Sequence, residues 1–473
     1  MPDQFPHTVT VVGAGLVGAL VATLLAQRGF RVEVFERRHD PRHNGFRGGR
    51  SINLALAERG WHGLRLAGLD ARMQPIAVPM RGRMVHGLDG SLQLHGYGRD
   101  DSEAIWSVNR GTLNMTLLDA AEAAGAILHF GQRLEGIDGS DGALLFHDDG
   151  DGRLRRHPTG CVLGCDGVGS ALRLAMREIA DPGERFVPLE HSYKELAIPA
   201  LAEFPPGQMP RTLQAAAANG ARFALEPNAL HIWPRGGYMC IALPNAEGSF
   251  TVTLFLPNEG TPSFATLIGR DEVRRFFERD FADAVPLMPD YLDDFFANPT
   301  GTLGTLYLER WHLDGRMLLL GDAAHAILPF HGQGMNAGFE DAVELAGLFA
   351  AAPRDTGAVF TEFQRRRKVN TDAIAAMAIE NYVEMRDRVD DADFLLMREL
   401  ERTLAARHPG RFVPRYWMVT FSRVPYAVAY ERGRIQYALL AELAAGRQRL
   451  DEIDLALADR LVLERLTPLI LPA

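Results

Sequence analysis

A glycine-rich turn near the start of the chain constrains the fold more than any other segment. An apolar run over residues 8–12 predicts a buried strand, and the pattern Gly13-Ala-Gly-Leu-Val-Gly18 then opens a predicted helix over residues 20–27. A second predicted strand, over residues 31–36, ends in Glu36. In this order the glycines permit a tight turn, close approach of a pyrophosphate and packing of helix on strand. The segment predicts a dinucleotide-binding domain with Glu36 on a ribose; a glycine-rich turn without a ligand is the alternative.

Composition places the chain among folded proteins with more than one domain. Its 473 residues are 47% hydrophobic and 23% charged, which excludes a disordered or fibrous chain and suggests two or three domains. The net charge of −10 repels nucleic-acid phosphates and anionic lipids. We therefore expect neither a nucleic acid nor a membrane surface as a partner.

The cysteines and one uncharged stretch bear on the compartment. Cys161, Cys165 and Cys240 are too few for a disulfide framework and lack the spacing of a zinc site, which favours a reducing cytoplasm and no bound metal. Residues 8–27 carry no charge, but three glycines interrupt them and no basic segment precedes them. We expect neither a signal peptide nor a membrane helix there, and hence a cytoplasmic protein.

Two later segments carry a strand followed by an aspartate. An apolar strand over residues 159–165 runs into Asp166, and a second over residues 317–321 runs into Asp322. Because ligands of doubly wound sheets bind at the carboxyl ends of strands, both aspartates are predicted to point towards the cofactor crevice. A glycine-rich loop over residues 329–338 then opens a helix whose N-terminus would stabilise a developing anion.

The order of these motifs resembles the FAD-dependent aromatic hydroxylases of the para-hydroxybenzoate hydroxylase fold, and the resemblance covers residues 8–385. It implies bound FAD, NADPH as a co-substrate without a Rossmann domain of its own, and a transient flavin hydroperoxide that transfers oxygen from O2 to an aromatic ring. The implied fold is α/β, with a Rossmann-like FAD-binding domain, a mixed β-sheet substrate domain and a C-terminal helical region. The predicted bounds are 1–75, 98–180 and 298–365 for FAD, 76–97 and 181–297 for the substrate, and 366–473 for the helical region.

The same resemblance implies which residues contact FAD. Arg110 would lie beside the flavin, Leu134 would contact adenine or its ribose, and Asp322 would bind the ribityl chain. Arg37 and Arg38 belong to a basic loop that either binds phosphates or is a solvated charged surface. The full implied set is Gly13, Gly15, Leu16, Val17, Gly18, Glu36, Arg37, Arg38, Ala57, Arg110, Leu134, Asp322, Gly334, Met335 and Asn336.

Six segments resemble more narrowly the kynurenine 3-monooxygenases within that family, namely residues 50–56, 80–86, 193–196, 231–236, 329–341 and 381–386. The implied reaction is hydroxylation of L-kynurenine to 3-hydroxy-L-kynurenine in tryptophan degradation by the kynurenine pathway. The implied substrate-binding residues are Arg83, Tyr97, Asn381, Tyr416, Glu384, Met385, Phe330 and His331. The first four would bind the amino-acid head group, the next two would line the pocket, and the last two would shape the flavin edge.

Three other activities stay open. They are a flavin hydroxylase of another aromatic acid or phenol, a binding protein of this fold without redox chemistry, and an oxidase that makes only peroxide. A phenol hydroxylase needs a group that deprotonates the substrate hydroxyl, and no residue stands out for that task. A ring bearing an amine needs no strong base, so the protein must only orient it and exclude water. A homodimer is also left open.

A shared site for Arg83 and Tyr97 makes a geometric demand. Two short segments read as a hairpin turned at Asp89-Gly90. A two-residue turn would pair Arg83 with Gly96 and put Tyr97 on the opposite face of the hairpin. The two side chains therefore meet only if the hairpin contains a one-residue bulge or a longer loop.

Residues 360–389 read as one long helix on which Asn381, Glu384 and Met385 share a face. The alternative for Glu384 is a carboxylate that faces solvent. The alternative for Tyr416 is a core aromatic residue whose hydroxyl is satisfied elsewhere. Only the resemblance favours the pocket for either residue.

Other segments are expected to serve the structure. Residues 222–257 predict antiparallel strands, joined by a Gly-Gly turn, that would cover the substrate pocket. The basic run over residues 365–368 is expected to be a solvated surface, and His325 a packed histidine. Residues after about 390 carry a helical leucine stripe and are expected to cap the substrate domain.

Overall fold

The computed structural model describes residues 8–44, 53–387 and 392–471. These residues form two large β-sheets, two three-stranded sheets and a helical carboxyl-terminal region. The predicted α/β class, with a Rossmann-like sheet and a second mixed sheet, is confirmed. The first part of the 50–56 motif lies outside the described residues.

The strands of the described chain are β1 Val9–Val12, β2 Val32–Glu36, β3 Asn53–Leu56, β4 Val78–Met80, β5 Gly82–His86, β6 Leu92–Gly96, β7 Ile105–Asn109, β8 Ile127–Phe130, β9 Gln132–Ile137, β10 Leu144–Asp148, β11 Leu154–His157, β12 Cys161–Gly164, β13 Arg185–Ile198, β14 Ala229–Pro234, β15 Met239–Pro244, β16 Phe250–Pro257, β17 Gly301–Tyr307, β18 His312–Leu313 and β19 Met317–Leu319.

The α-helices of the described chain are α1 Leu16–Ala26, α2 Pro41–Asn44, α3 Glu58–Leu66, α4 Asp70–Met73, α5 Arg110–Ala123, α6 Ala171–Ile179, α7 Arg211–Ala218, α8 Arg270–Asp280, α9 Tyr291–Ala297, α10 Asp322–His325, α11 Gly334–Ala351, α12 Thr356–Asp387, α13 Ala392–Arg407, α14 Arg415–Thr420, α15 Tyr426–Ala444 and α16 Leu455–Arg465.

The first large sheet has the strand order β18-β19-β12-β1-β2-β8. Val9 of β1 pairs in parallel with Val32 of β2 on one side and with Cys161 of β12 on the other. All four residues of β1 are buried, as expected for a parallel strand covered on both faces. Because the chain leaves β1 towards one side and later returns to the other, a crevice opens at the carboxyl ends of β1 and β12.

The second large sheet has the order β17-β13-β16-β15-β14-β5-β6. Its strands pair antiparallel except β5 and β14, which run parallel. Gly236 and Gly237, both with positive φ, turn β14 into β15, as the Gly-Gly signal predicts. One face packs on Phe276 and Phe277 of α8. Strand β17 lies in this sheet, although the sequence assigns residues 298–365 to the FAD-binding domain.

The hairpin of β5 and β6 meets the geometric demand through a longer loop. Arg83 pairs with His95, and the backbone N–H of Gly87 donates to the carbonyl oxygen of Ser91 at 2.9 Å. Three residues therefore form the loop, which shifts the register by one from that of a two-residue turn. Tyr97 now follows His95 by two residues and shares the face of Arg83.

The carboxyl-terminal region consists of helices. Helix α12 extends to Asp387, and the last two residues of the predicted helix lie outside the described chain. On α13 the leucine stripe is buried at Leu396, Leu400 and Leu404, whereas Leu395 is exposed. Within the described residues, no helix combines the length and the apolar character needed to cross a bilayer.

Candidate active site

The first glycine-rich turn is shaped by backbone contacts that leave no room for side chains. Gly13 has a φ of 99°, and a Cβ atom there would lie 2.7 Å from the carbonyl oxygen of Cys165. A Cβ atom at Gly18 would lie 1.9 Å from the carbonyl oxygen of Gly13. Helix α1 therefore packs against the turn only because position 18 lacks a side chain.

Gly15 differs from the other two glycines because the space around it is open. A Cβ atom there would meet no described atom within 4 Å, and no side chain caps the start of α1. Beside it, the Glu36 carboxylate accepts hydrogen bonds from the backbone N–H groups of Ala14 and Arg38, both at 2.9 Å. Uncapped helix N–H groups next to open space fit the phosphates of FAD, with Glu36 near a ribose.

The two aspartates predicted at the crevice differ. Asp322 is the third residue after β19, and its side chain is exposed. Asp166 instead accepts hydrogen bonds from the Ser170 hydroxyl and from the backbone N–H of Leu172. The nearby N-terminus of α6 engages the Asp166 carboxylate, but its backbone adjoins the Gly13 turn, so its approach to the crevice stays a prediction. Asp322 remains the candidate for the ribityl chain.

Asn336 ties the start of α11 to β3. Its amide nitrogen donates to the carbonyl oxygen of Ala55 at 2.8 Å, and its amide oxygen accepts from the backbone N–H of Ala57 at 2.9 Å. Asn336 is fully buried, whereas Gly334 and Met335 are partly exposed. The Asn336 side chain thus fixes the loop, and the backbone around Gly334 and Met335 is the part of this segment that a flavin can contact.

A buried ion-pair network holds the turn that carries Asp322. The Asp341 carboxylate accepts from the backbone N–H of Gly321 at 2.9 Å, from His325 Nε2 at 2.6 Å and from Arg367 Nε at 2.7 Å. Burial alone would raise the pKa of Asp341, but His325 and Arg367 lower it to about 2. The prediction of a packed His325 is confirmed. The prediction of a solvated basic run is wrong for Arg367, because this guanidinium neutralises a buried carboxylate.

The other predicted FAD contacts lie at the start of α1 (Leu16, Val17), after β2 (Arg37, Arg38), before α3 (Ala57), at the start of α5 (Arg110) and in β9 (Leu134). The three arginines are exposed, so their charges are accessible to an anionic ligand. Ala57 and Leu134 are buried, and Leu134 also belongs to the hydrophobic core of the first sheet and its helices.

Residues of the predicted substrate site meet at the end of the hairpin. The Arg83 guanidinium lies 6.0 Å from the centre of the Tyr97 ring, and the Tyr97 ring stacks on that of Tyr416 with 5.5 Å between centres. Tyr416 also stacks on His331, at 5.7 Å and an inclination of 17°. We call these four residues the head-group cluster. It combines three parts of the chain that are far apart in sequence.

The head-group cluster contains buried polar atoms that have no partner within the described residues, namely Arg83 Nε and His331 Nδ1. Burial lowers the pKa of His331 to about 4, so its ring is neutral at pH 7. Burial raises the pKa of Tyr97 and Tyr416, although Arg83 opposes the rise. One guanidinium and neutral hydroxyl donors therefore surround a site that fits a carboxylate.

An apolar wall continues from the cluster. The Asn381 amide nitrogen donates to the carbonyl oxygen of Phe330 at 2.6 Å, which joins α12 to the turn before α11. The Phe330 ring lies 4.3 Å from the Tyr382 ring and 5.0 Å from the Phe255 ring, between centres. Packed aromatic rings of this kind suit an aromatic ligand.

A cavity of about 530 Å³ adjoins the cluster between α12, α13 and α15. Glu384 lines it, and its carboxylate forms an ion pair with Arg398 of α13. The alternative of a simple solvent-facing Glu384 therefore does not hold, because another helix covers and neutralises it. Met385 belongs to α12, but its side chain lies outside the described part of the structure.

The comparisons with known proteins agree on a family. The sequence matches the FAD binding domain family over residues 7–188 and 288–370. It is 53% identical over 469 residues, 99% of each chain, to the kynurenine 3-monooxygenase of Xanthomonas euvesicatoria pv. vesicatoria (strain 85-10). The chain belongs to the kynurenine 3-monooxygenase family. A second family member, from Xanthomonas campestris pv. campestris (strain 8004), is 53% identical over 98% of each chain.

Solved structures share the fold of this kynurenine 3-monooxygenase family member at lower identity. The 2-methyl-3-hydroxypyridine-5-carboxylic acid oxygenase has a TM-score of 0.62 and 18% identity, covering 82% of this chain and 94% of that one. The Pseudomonas aeruginosa protein PqsL, in complex with 2-aminobenzoylacetate, has a TM-score of 0.61 and 22% identity, covering 81% and 97%. These similarities support the fold of the FAD-dependent oxygenases.

Sequence reasoning missed three residues of the site, Arg398, Phe255 and Tyr382. Tyr382 directly follows Asn381 in a segment that the resemblance singled out, so a signal for it was present. Phe255 lies on a strand predicted to cover the pocket, but its contact with Phe330 depends on sheet register. No local pattern pairs Arg398 with Glu384, because the two lie on different helices.

Proposed function

We propose that this protein hydroxylates L-kynurenine to 3-hydroxy-L-kynurenine with FAD, NADPH and O2, in tryptophan degradation by the kynurenine pathway. Family membership supports the reaction. The observation that supports an amino acid as the substrate is the buried Arg83 Nε, which lacks a hydrogen-bond partner among the described residues. A desolvated guanidinium N–H needs an acceptor, and the α-carboxylate of an amino acid supplies one in bidentate geometry.

The amino-acid head group would bind within the head-group cluster. Arg83 would pair with the carboxylate, and the hydroxyls of Tyr97 and Tyr416, kept protonated by burial, would donate to it. Glu384 lines the adjoining cavity and is already paired with Arg398. Its carboxylate would therefore offer the α-ammonium an anionic neighbour without adding an uncompensated buried charge.

The residues of the first crevice fit FAD. The start of α1 has no side-chain cap, the space at Gly15 is open, and Asp322 is exposed beyond the end of β19. Bound FAD would supply electron transfer from NADPH and activation of O2, which side chains do not provide. Helix α11 begins at Gly334, next to Met335, so the positive end of its dipole would lie close to the flavin.

The chain's own residues would orient the ring and exclude water. The aromatic wall around Phe330 would hold the ring of the substrate against the flavin edge. The ring amine donates electrons to the carbon beside it, so no strong side-chain base is required at that carbon. The neutral state of His331, whose pKa burial lowers to about 4, fits a role in shape and hydrogen bonding.

The test is NADPH oxidation by the FAD-loaded protein with and without L-kynurenine, followed by mass and chromatographic analysis of the product. We expect substrate-stimulated oxidation and a gain of one oxygen atom beside the ring amine. A matched assay with 4-hydroxybenzoate, which has a phenol and no amine, should give neither. Stimulation by the phenol instead, or peroxide without hydroxylated product, would contradict the proposal.

The proposal also covers the domain bounds, the cellular location and the oligomeric state. We propose a FAD-binding domain of residues 1–75, 98–180 and 298–365, a substrate domain of residues 76–97 and 181–297, and a helical region of residues 366–473. Within the first of these ranges, β17 pairs with β13 of the substrate sheet. A cytoplasmic location is supported by three cysteines that are all free and buried. A homodimer would give about twice the 52.1 kDa of the chain in light scattering, and a mass of one chain would contradict it.

A further inference from the structure

Two buried histidines lie behind the strand that carries Arg83. Arg83 and Val85 of β5 face the substrate site, and His86 therefore faces the opposite side of the sheet. There it meets His231 of β14, and both rings are almost fully buried. The two residues come from the 80–86 and 231–236 motifs, whose histidines the substrate site does not use.

Hydrogen bonds link the two rings into a chain with an acceptor at each end. His86 Nδ1 lies 2.8 Å from Oδ2 of Asp283, and His86 Nε2 lies 2.9 Å from His231 Nδ1. His231 Nε2 lies 2.9 Å from the carbonyl oxygen of Glu226. Trp233 stacks on His86 at 4.1 Å and donates from Nε1 to the same Asp283 oxygen at 2.8 Å.

Counting protons shows that the hydrogen-bonded chain needs one proton more than two neutral rings supply. A carbonyl oxygen and a carboxylate both accept, so the three linked bonds need three N–H protons, whereas two neutral imidazoles supply two. Burial lowers the pKa of His231 to about 4, which leaves that ring neutral. Burial alone would raise the pKa of Asp283, but hydrogen bonds from His86 and Trp233 outweigh burial and lower it. The third proton is therefore held between His86 and Asp283, at the end of the chain away from His231.

The hydrogen-bonded chain crosses the one parallel pairing among the described strands of this sheet. Strand β5 pairs with β14 over four residues, in parallel, and beyond β5 only the edge strand β6 follows. Arg83 thus depends on a short seam between β5 and β14 for its position. The bond from His86 to His231 crosses this seam, and the bond from His86 to Asp283 fixes the end of β5 to the loop after α8.

We infer that His86, His231 and Asp283 form a positioning element for substrate binding: the protonated chain holds β5 in register, and Arg83 in place for the substrate carboxylate. This inference rests on the proposed function. All three hydrogen bonds form only when the series of Asp283, His86 and His231 holds its third proton. We therefore expect the affinity for the substrate to fall as pH rises and that proton is lost. His86 and His231 are positioning residues, because they act through Arg83.

Other charged groups around the pair are compensated within the same region. The Arg235 guanidinium donates to the carbonyl oxygen of His86 at 3.0 Å and also to the backbone of Asp280. Asp280 pairs with Arg279, and Cys240 lies buried on the neighbouring strand with its pKa raised by burial. Asp283 is therefore the carboxylate that shares the third proton with His86.

The test compares L-kynurenine binding by wild type, His86→Gln and Asp283→Asn, all loaded with FAD, through the change in flavin absorbance between about pH 6 and about pH 8.5. His408→Gln is the matched control, because His408 also pairs with a carboxylate, Asp459, at 2.7 Å but lies in the carboxyl-terminal region. Turnover at saturating substrate is measured in parallel, to separate KM from kcat.

We expect the wild-type Kd to rise with pH and the Asp283→Asn curve to rise at lower pH, since an amide cannot help to hold the third proton of the chain. His86→Gln should raise Kd about tenfold at low pH and remove the pH dependence, with kcat changed less than about twofold. His408→Gln should follow wild type. Asp283→Asn keeps an acceptor for Trp233, so it remains informative if His86→Gln fails to fold.

Two results would overturn the inference. The first is that His86→Gln and Asp283→Asn both keep the wild-type Kd for L-kynurenine and the wild-type dependence of Kd on pH. The second is an equal loss of kcat and affinity in the His86 and His408 variants, which would indicate general destabilisation. A wild-type protein that does not bind L-kynurenine would overturn both this inference and the proposed function, whereas unaltered variants of a binding protein overturn this inference alone.

Discussion

The cofactor crevice and the head-group cluster are built in opposite ways. The crevice uses backbone groups and glycines within residues 13–36, where a Cβ atom is excluded at two positions and space lies open at the third. The head-group cluster uses side chains from β5, from the residue after β6, from the turn before α11 and from α14. The first site is local in sequence, and the second exists only after the sheets and helices have packed.

The difference teaches which sites a sequence can reveal unaided. A site made of backbone leaves a spacing of glycines that has a single physical explanation. A site made of distant side chains leaves no spacing, and its geometry depends on register, as with the three-residue loop that turns Tyr97 to the face of Arg83. Substitutions should therefore separate the two sites cleanly.

The largest effects are expected at the glycines of the crevice. Gly18→Ala places a Cβ atom 1.9 Å from a backbone oxygen, so we expect a loss of at least about 3 kcal/mol in the free energy of unfolding and little folded protein. Gly15→Ala meets no described atom within 4 Å, so the apoprotein should keep its melting temperature. Its FAD affinity should still fall about tenfold or more, because the methyl group would occupy the space of the pyrophosphate. Calorimetry and flavin titration measure both, and equal stability of the two variants would contradict this contrast.

The next effect is at the guanidinium of the head-group cluster. Arg83→Ala should weaken L-kynurenine binding about 100-fold, or about 3 kcal/mol, through loss of charge-assisted hydrogen bonds. The FAD content should stay unchanged, because Arg83 lies on the other sheet. Arg81→Ala, an exposed arginine on the same segment, serves as the control and should change binding less than twofold or so. Loss of FAD from the Arg83 variant would contradict the claim that the cofactor crevice and the head-group cluster respond independently to substitution.

A smaller effect is expected at the stacked tyrosine. Tyr416→Phe keeps the ring between Tyr97 and His331 but removes one donor, so the Kd for L-kynurenine should rise about tenfold. The melting temperature should not change. Tyr291→Phe, on the far side of the second sheet, is the matched control. An unchanged Kd in Tyr416→Phe would remove this hydroxyl from the site.

The smallest effect concerns Glu195 of β13, a partly buried carboxylate under the electrostatic influence of Arg110. Burial raises the pKa of Glu195 to about 7, and Arg110 only partly opposes it. The folded apoprotein then binds the proton more tightly than the unfolded chain, so stability falls as pH rises from about 4.5 to about 7 and is constant above. Glu195→Gln should remove this fall and raise the melting temperature at pH 8 by about 1–2 °C. Glu190→Gln, an exposed neighbour, should not; identical pH profiles of all three proteins would contradict the burial of Glu195.

Much of the fold follows from local pattern. The βαβ unit, the long helix and the Gly236-Gly237 turn each have short-range physical signals, and the structure contains all three. The parallel pairing of β5 with β14 has no such signal, because about 145 residues separate the strands.

The partners of charged residues were the hardest feature to predict. Asp166 and Arg367 carry charges whose partners, a helix N-terminus and a buried carboxylate, become adjacent only in the folded chain. Glu384 likewise finds Arg398 across two helices. A charged residue can be recognised in sequence, but its partner cannot. The candidate substrate residues therefore rested on a family resemblance, and their roles stay predictions.

The most direct test of the account is a cycle between Arg83 and the substrate carboxylate. It measures kcat/KM of wild type and Arg83→Ala with L-kynurenine and with kynuramine, the amine that lacks the carboxylate. If Arg83 binds that carboxylate, the substitution lowers kcat/KM about 100-fold for L-kynurenine and changes it little for kynuramine. The same loss with both compounds would contradict the account, because Arg83 would then act on the fold or the flavin and not on the substrate head group.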